Sequence, residues 1–263
     1  MSLYIVPVPI GNPADITRRA IEVLQSVDFL AAEDTRRSAR LLSHLGIEKP
    51  VVSYFSPREK EKAGSILKRL RRESGALISD SGTPVISDPG FFLIREAISR
   101  GISVVALPGP TAFVPALCVS GLPADRFLFV GFPPRRKHEL ERHLRALAQL
   151  PFTLVFYESP RRILALLSAL RDVFGDRPFA LARELTKLNE SVVRGRLESC
   201  FNDLAVEPML GEMVLIVGGC DPNQAQPQVV GIHNREDLLR LLEERFGLDR
   251  NHVRDAWMRK SSS

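Results

Sequence analysis

Two rhythms trade places along this chain. Short, almost unbroken apolar runs alternate with stretches in which apolar residues recur every third or fourth position. The runs Leu3–Val8, Phe29–Glu33, Val51–Tyr54, Ala76–Ser79 and Ile102–Leu107 read as strands. Between them, Asp15–Val27 carries Ile16, Ala20, Val23, Leu24 and Val27 on one helical face. Thr35–Gly46 and Phe91–Gly101 read as helices closed by glycine, and Pro57–Glu73 as a charged helix opened by proline. Apolar strands separated by helices predict an α/β layer on a largely parallel sheet.

The rhythm resumes after Leu122–Arg126, where we place a domain boundary. Arg126–Phe132, Phe152–Glu158, Pro178–Thr186, Glu190–Leu197 and Gly211–Gly219 read as strands. Lys137–Leu150 reads as a helix, and Ser159–Gly175 as another with Ser159 as its cap and Pro160 in first position. Asp221–Gln228 has the composition of a linker. Asn234–Gly247 and Asp249–Lys260 then read as two short helices, resembling a helix-turn-helix or a packing hairpin, and carry Arg245, Arg250, Arg254, Arg259 and Lys260. The expected organisation is an α/β domain over residues 1–122, a second over 123–220 and a helical tail over 221–263.

Gly101–Ala124 holds 24 residues without a charge, long enough to span a bilayer. Pro108, Pro110, Pro115 and Pro123 interrupt it, and each interior proline removes a helix hydrogen bond. It reads as a buried strand, a Pro-Gly-Pro turn and a small-residue helix inside a soluble fold, with no membrane partner. The start of the chain has no basic leader pattern. Cys118, Cys200 and Cys220 form no paired CxxC motif, which points to a reduced, cytoplasmic protein without a cysteine metal site.

The 263 residues are 44% hydrophobic and 25% charged, ordinary for a globular protein, with a formal net charge of +5. The excess is carried by arginine pairs such as Arg18-Arg19, Arg36-Arg37, Arg135-Arg136 and Arg161-Arg162. Such pairs suit an anionic partner and equally a solvated helix face.

In an open parallel sheet, ligands bind at the carboxyl ends of the strands. The loops expected there are Pro7–Pro13, Ser79–Gly90 and Leu107–Ala112. None is a dinucleotide or P-loop fingerprint and none carries Lys or Arg, so they are poorly suited to grip phosphate. Their Gly and Pro residues bring backbone N–H and C=O groups close to a ligand, and Val85 and Ile86 add an apolar wall. A flat, neutral moiety such as a nucleoside suits that lining.

The stretches "LYIVPVPIGNPADITRRA", "AAEDTRRS", "LISDSGTPVISDPG", "LPGPTAFVPALCVSGLPADRF", "FYESPRRI", "LARELTK" and "GEMVLIV", in this order, resemble the ribosomal RNA small subunit methyltransferase I family of the tetrapyrrole methylase superfamily. The resemblance runs from Leu3 to about Gly218, over four fifths of the chain. It implies 2′-O-methylation of a cytidine in 16S rRNA with S-adenosyl-L-methionine as donor. It also implies two α/β domains with the donor in the cleft between them, and a homodimer. Carried over by motif, Ile10, Ser81, Gly82, Thr83, Ile86, Thr111 and Ala112 match donor-binding positions, while Glu158 and Leu185 fall where the second domain closes on the adenosine. The reaction needs a base for the ribose hydroxyl; the candidates are Asp34, Glu33, Asp80 and Glu184, with Asp34 favoured over its competing role as a helix N-cap. Arg36, Arg183 and Lys187 would orient a carboxylate or meet RNA phosphates. Phe55, Ser56, Pro57 and Arg58 replace a His- and Asn-containing stretch usual in the family, and the tail is one helix short. Two other functions remain open: methylation of a small tetrapyrrole, against which the arginines of "AEDTRRS" speak, and non-catalytic binding of RNA or the ribosome.

Overall fold

A computed structural model describes residues 1–54, 59–199 and 210–221. The divergent Phe55–Arg58 segment, the start of the expected Pro57–Glu73 helix, Cys200 and the tail beyond Asp221 lie outside the described residues. Met1–Cys220 forms one compact unit.

The first sheet contains β1 (Ser2–Ile5), β2 (Phe29–Ala32), β3 (Val51–Ser53), β4 (Gly75–Ile78) and β5 (Ser103–Ala106), in the order β3-β2-β4-β1-β5. Every pairing is parallel, with Leu3 opposite both Gly75 and Val104. The intervening helices are α1 (Arg18–Ser26), α2 (Thr35–His44), α3 (Glu59–Arg69) and α4 (Phe91–Ser99). Leu3, Ile5, Phe29 and Leu77 are buried on one face with Ile66, Leu67 and Leu93; Val6, Leu30, Ala76 and Ile78 are buried on the other with Leu24 and Leu42. Both faces are therefore covered, which is why the central strands β2 and β4 are buried and apolar at every position.

Local chemistry moves several boundaries. Asn12 accepts a hydrogen bond from Ala14 N and folds Pro13–Asp15 into a 3₁₀ turn, so α1 starts at Arg18, capped by Thr17, rather than at Asp15. β2 stops at Ala32, because Asp34 already caps α2. The strand expected to run through Glu33 therefore ends one residue before it.

The second sheet contains β6 (Phe127–Gly131), β7 (Thr153–Glu158), β8 (Pro178–Arg183), β9 (Ser191–Arg196) and β10 (Met213–Val217), in the order β6-β7-β10-β8-β9. Only β6 and β7 are parallel; the other neighbours run antiparallel. One face packs on α6 (Lys137–Leu147) and α7 (Ile163–Phe174) through Leu144, Phe156, Leu166, Leu170 and Leu215. The other face meets α5 (Phe113–Ser120) and Ile10 through Val155, Ala180, Ala182, Val214 and Ile216. A helix and a loop that follow first-sheet strands thus lie on the second sheet. Pro115 is tolerated in α5 because it falls in the first turn, where N–H groups have no helical partner.

α7 starts at Ile163 instead of at Pro160. The N–H and hydroxyl of Ser159 both donate to Glu158 Oε1, at 2.8 and 3.3 Å, and its carbonyl accepts from Arg162 N and Ile163 N at 3.0 and 3.1 Å, so residues 160–162 form a turn before the helix. β8 ends at Arg183, earlier than the expected Thr186, because Glu184 and Thr186 take positive φ, 48° and 67°.

Candidate functional site

The loops after β1, β4 and β5 meet at the carboxyl edge of the first sheet. Val8 N donates to Gly82 O at 2.9 Å and Gly82 N to Val8 O at 3.0 Å. Thr83 Oγ1 donates to Pro110 O at 2.8 Å, and Ser79 Oγ reaches Gly82 O at 3.1 Å. Gly82 has φ +78°, a conformation open mainly to glycine, and an added Cβ would lie 3.3 Å from Ile10 Cγ2. Val85 shares the same φ with a β-branched side chain, a conformation that the surrounding loop has to impose.

Facing these loops is the second sheet. Between the two lies a cavity of about 360 Å³, within the usual size range for a small-molecule site. Ile10, Ser81, Gly82, Thr83, Ile86, Thr111 and Ala112 line it on one side, Glu158 and Leu185 on the other. All nine residues singled out as donor-binding positions therefore border a single cavity. Ser87, Asp88, Phe132, Tyr157 and the Gly211–Val214 segment line it too, and sequence reasoning had not singled them out. Asp88 lies inside the quoted "SDSGTPVISDPG" loop and Tyr157 inside "FYE", but neither shows in sequence which way it points. Phe132 keeps 59% of its surface exposed and stands edge-on to Tyr157, ring centroids 5.6 Å apart.

The charged residues in this lining are Asp88, Glu158 and Glu212, all acidic. Glu158 is 3% exposed; its Oε2 lies 3.1 Å from Arg162 Nη2 but has no aligned hydrogen-bond donor. Burial pushes Asp88 up to about 6; the neighbouring Glu33 and Asp80 charges add to the rise, and a Ser79 hydrogen bond opposes it. Burial also raises the Tyr157 phenol, against hydrogen bonds from Thr111 and from the Phe113 and Ala112 backbone.

Of the candidate acid–base residues, Glu33 acts by its charge on Asp88, while Asp34, Asp80 and Glu184 stand outside the cavity lining in two networks, the second of which reaches the lining through Glu212. Asp34 Oδ1 accepts from Arg36 N at 2.8 Å, which holds its carboxyl below the usual range, and Arg36 Nε lies 3.4 Å from the same oxygen. Asp34 N donates to Asp80 Oδ1 at 3.0 Å, and Arg37 Nη1 lies 3.6 Å from Asp80 Oδ2. Asp34 thus holds the N-cap role that competed with its reading as base. On the other side, Lys187 Nζ sits 2.8 Å from Glu184 Oε1 and 3.2 Å from Glu212 Oε2, and Glu212 N donates to Glu184 Oε1 at 2.7 Å. Bonding to Lys187 and to Glu212 N lowers the Glu184 pKa. Asn12 N donates to Thr186 Oγ1 at 3.2 Å, tying the β1 loop to this second network.

A small-molecule cavity framed by the strand ends of a parallel sheet and roofed by a mixed sheet defines the class. The sequence matches the Tetrapyrrole (Corrin/Porphyrin) Methylases over residues 2–200, and the chain belongs to that family. Uroporphyrin-III C-methyl transferase from Thermus thermophilus, solved in complex with S-adenyl homocysteine, shares the fold at a TM-score of 0.59 and 21% identity, over 83% of this chain and 97% of that one. Within the family the chain is a ribosomal RNA small subunit methyltransferase I relative. It is 42% identical to that protein from Micromonospora olivasterospora, over 96% of this chain and 85% of that one. It is 48% identical to that from Haemophilus influenzae, over 82% and 78%.

Proposed function

We propose that this chain transfers a methyl group from S-adenosylmethionine to the ribose 2′-oxygen of a cytidine in 16S rRNA. The observation that carries the reading is the cavity itself. It gathers apolar walls and exposed backbone, and its charged lining residues are all carboxylates. That suits a ligand with a flat purine, polar hydroxyls and positive charge, and it disfavours one with phosphates. Glu158 adds a buried carboxylate to this lining, balanced on its far side by Arg162 at 3.1 Å.

In this reading Ser81, Gly82 and Thr83 hold the donor through backbone, Ile10, Ile86 and Leu185 enclose its apolar parts, and Thr111, Ala112 and Glu158 fix its orientation. When bound, the donor supplies a methyl group on a positively charged sulfur. The chain's task is to hold the ribose oxygen behind that methyl group, and orientation of this kind contributes roughly 7–11 kcal/mol. The exposed Phe132 ring at the cavity wall is a platform on which a base can stack. The exposed Arg135 and Arg136 follow it closely, and the exposed Arg161 follows the lining residue Pro160, so phosphate-binding groups flank the cavity. Arg162 Nη2 bonds Pro134 O at 2.9 Å and ties these two loops together.

The protein is expected to act as a homodimer in the cytoplasm. The edge strand β6, with Phe127 and Leu128 41% and 37% exposed on its two opposite faces, is where we place the contact with a second copy. Among the described residues no helix is long and apolar enough to cross a membrane. The decisive experiment is mass spectrometry of 16S rRNA from cells with and without the gene, paired with donor calorimetry on the purified protein. A cytidine 2′-O-methyl group present only with the gene supports the reading. Donor binding with unchanged rRNA methylation would redirect it to another substrate.

A further inference from the structure

Methyl transfer to a hydroxyl needs a group to take the proton, and the carboxylates near the cavity are unequally free to do so. Asp34 caps α2, and Asp80 accepts the Asp34 N–H and faces Arg37. Glu184 and Glu212 share Lys187, and Glu158 is held by Ser159 with Arg162 beside it. Asp88 differs. It lines the cavity on the loop that follows β4, half-buried, and the charged neighbours acting on it are the carboxylates Glu33 and Asp80. Tyr157 faces it from β7, with its hydroxyl engaged by Thr111 and the start of α5. Asp88 thus combines access to the ligand space with a polar partner, Ser79, and no cation among the groups that shift it.

We propose that Asp88 is the general base of the reaction, a role that rests on the methyltransferase reading above. The ribose 2′-oxygen uses a lone pair to form the new O–C bond. The S–C bond breaks and its electron pair stays on sulfur. The 2′-hydroxyl proton passes to the Asp88 carboxylate, which later releases it to water.

The surroundings suit this work. With its carboxyl held at about 6, Asp88 is mostly ionised at pH 7 yet more basic than an ordinary aspartate. Positive charge in the cavity before transfer favours the ionised form, and loss of that charge on transfer raises the proton affinity of Asp88 as the proton arrives. Glu33 and Asp80 assist by repelling a persistent negative charge on Asp88.

The test uses the full-length protein with a 16S rRNA or small-subunit substrate under single-turnover conditions, with donor affinity measured separately by calorimetry. The wild-type rate should fall tenfold per pH unit on an acidic limb whose midpoint is no higher than about 6. Asp88→Asn should weaken donor affinity only modestly, through the one charge removed from the cavity wall, yet lose about 10²–10⁴-fold in rate at saturating donor and lose that limb, while Asp88→Glu recovers part of both. A wild-type profile with no acidic limb at any pH where the protein stays folded would overturn the assignment without any variant. So would an Asp88→Asn protein that methylates at the wild-type rate, or one that loses donor affinity and rate together with its acidic limb intact. If the wild-type protein binds no donor or leaves rRNA unmethylated, the methyltransferase reading itself fails.

Discussion

A base held in a partly buried, like-charged place should destabilise the protein that holds it, and the size of that effect follows from the structure. The ordinary carboxyl value of 3.8 rises to about 6 at Asp88. Each unit is worth 1.36 kcal/mol of preference for the neutral form, so the ionised carboxylate disfavours folding by up to about 3 kcal/mol. Solvent still reaches the half-buried group and screens part of this, leaving about 1–2 kcal/mol. Because the folded-state pKa lies above the unfolded one, the penalty is absent below about pH 4, develops as the pH rises toward 6 and is constant above that. Asp88→Asn keeps the shape and cannot ionise. It should therefore melt about 3–6 °C higher than wild type at pH 7.5, with the gain shrinking toward zero near pH 4. Thermal scans of both proteins across this range provide the measurement. An equal or lower melting temperature for the variant at pH 7.5, or a gain independent of pH, would refute the electrostatic account of this site.

Three further outcomes are expected. Phe132→Ala should leave donor affinity intact and weaken RNA binding by about 1–3 kcal/mol, read from titrations with a single-stranded RNA, if its exposed ring stacks on a base. Gly82→Ala should lower stability by about 1–2 kcal/mol in urea unfolding because of its φ of +78°, and should also weaken donor binding, because the new Cβ presses on Ile10 at the cavity wall. Ending the chain after Cys220 should leave the Met1–Cys220 unit folded and able to bind donor in calorimetry; a shallower salt dependence of RNA binding would then assign phosphate contacts to the removed tail.

Periodicity sufficed for much of the architecture because both faces of the first sheet are buried. Buried strands have to be apolar throughout, and Leu30, Ala31 and Leu77 carry that signature in the sequence itself. The boundaries were less legible because side chains compete for the same backbone groups. Ser159 has the right identity to cap a helix but opens a turn over residues 160–162 instead, and Asn12 folds a 3₁₀ turn where helical spacing had already begun. The cavity was readable by another route: its Gly- and Pro-rich loops stood out at the strand ends, but the nine lining positions came from the family resemblance. Asp88 was harder to find. Its identity is ordinary for a turn, and its distinctive surroundings come from Glu33, on the β2–α2 connection, and Tyr157, on the second sheet, both distant in the chain.

The backbone around the cavity shows the same tension as the charge on Asp88. The positive-φ residues other than glycine are Val85, Ser87, Glu184 and Thr186 among the described residues. The first two lie on the loop that carries Asp88, the last two on the turn that places Leu185 in the opposite wall. Such conformations cost of order 1–3 kcal/mol each and persist only where the surroundings enforce them. Here the enforcement is identifiable. Val85 Cγ2 lies 2.9 Å from where a Cβ on Gly90 would stand, so that glycine leaves room for the valine to turn inward. Glu184 is bonded by Lys187 and the Glu212 N–H, and Thr186 N donates to Glu190 Oε2 at 2.6 Å. The Glu184–Lys187 network therefore earns its place by fixing a strained turn beside the cavity, which needs no proton transfer through Glu184. Thus Glu184→Gln should lower the melting temperature and donor affinity together while leaving the acidic limb of the pH profile in place. A variant with wild-type stability and donor affinity but a lost acidic limb would move the base from Asp88 to Glu184.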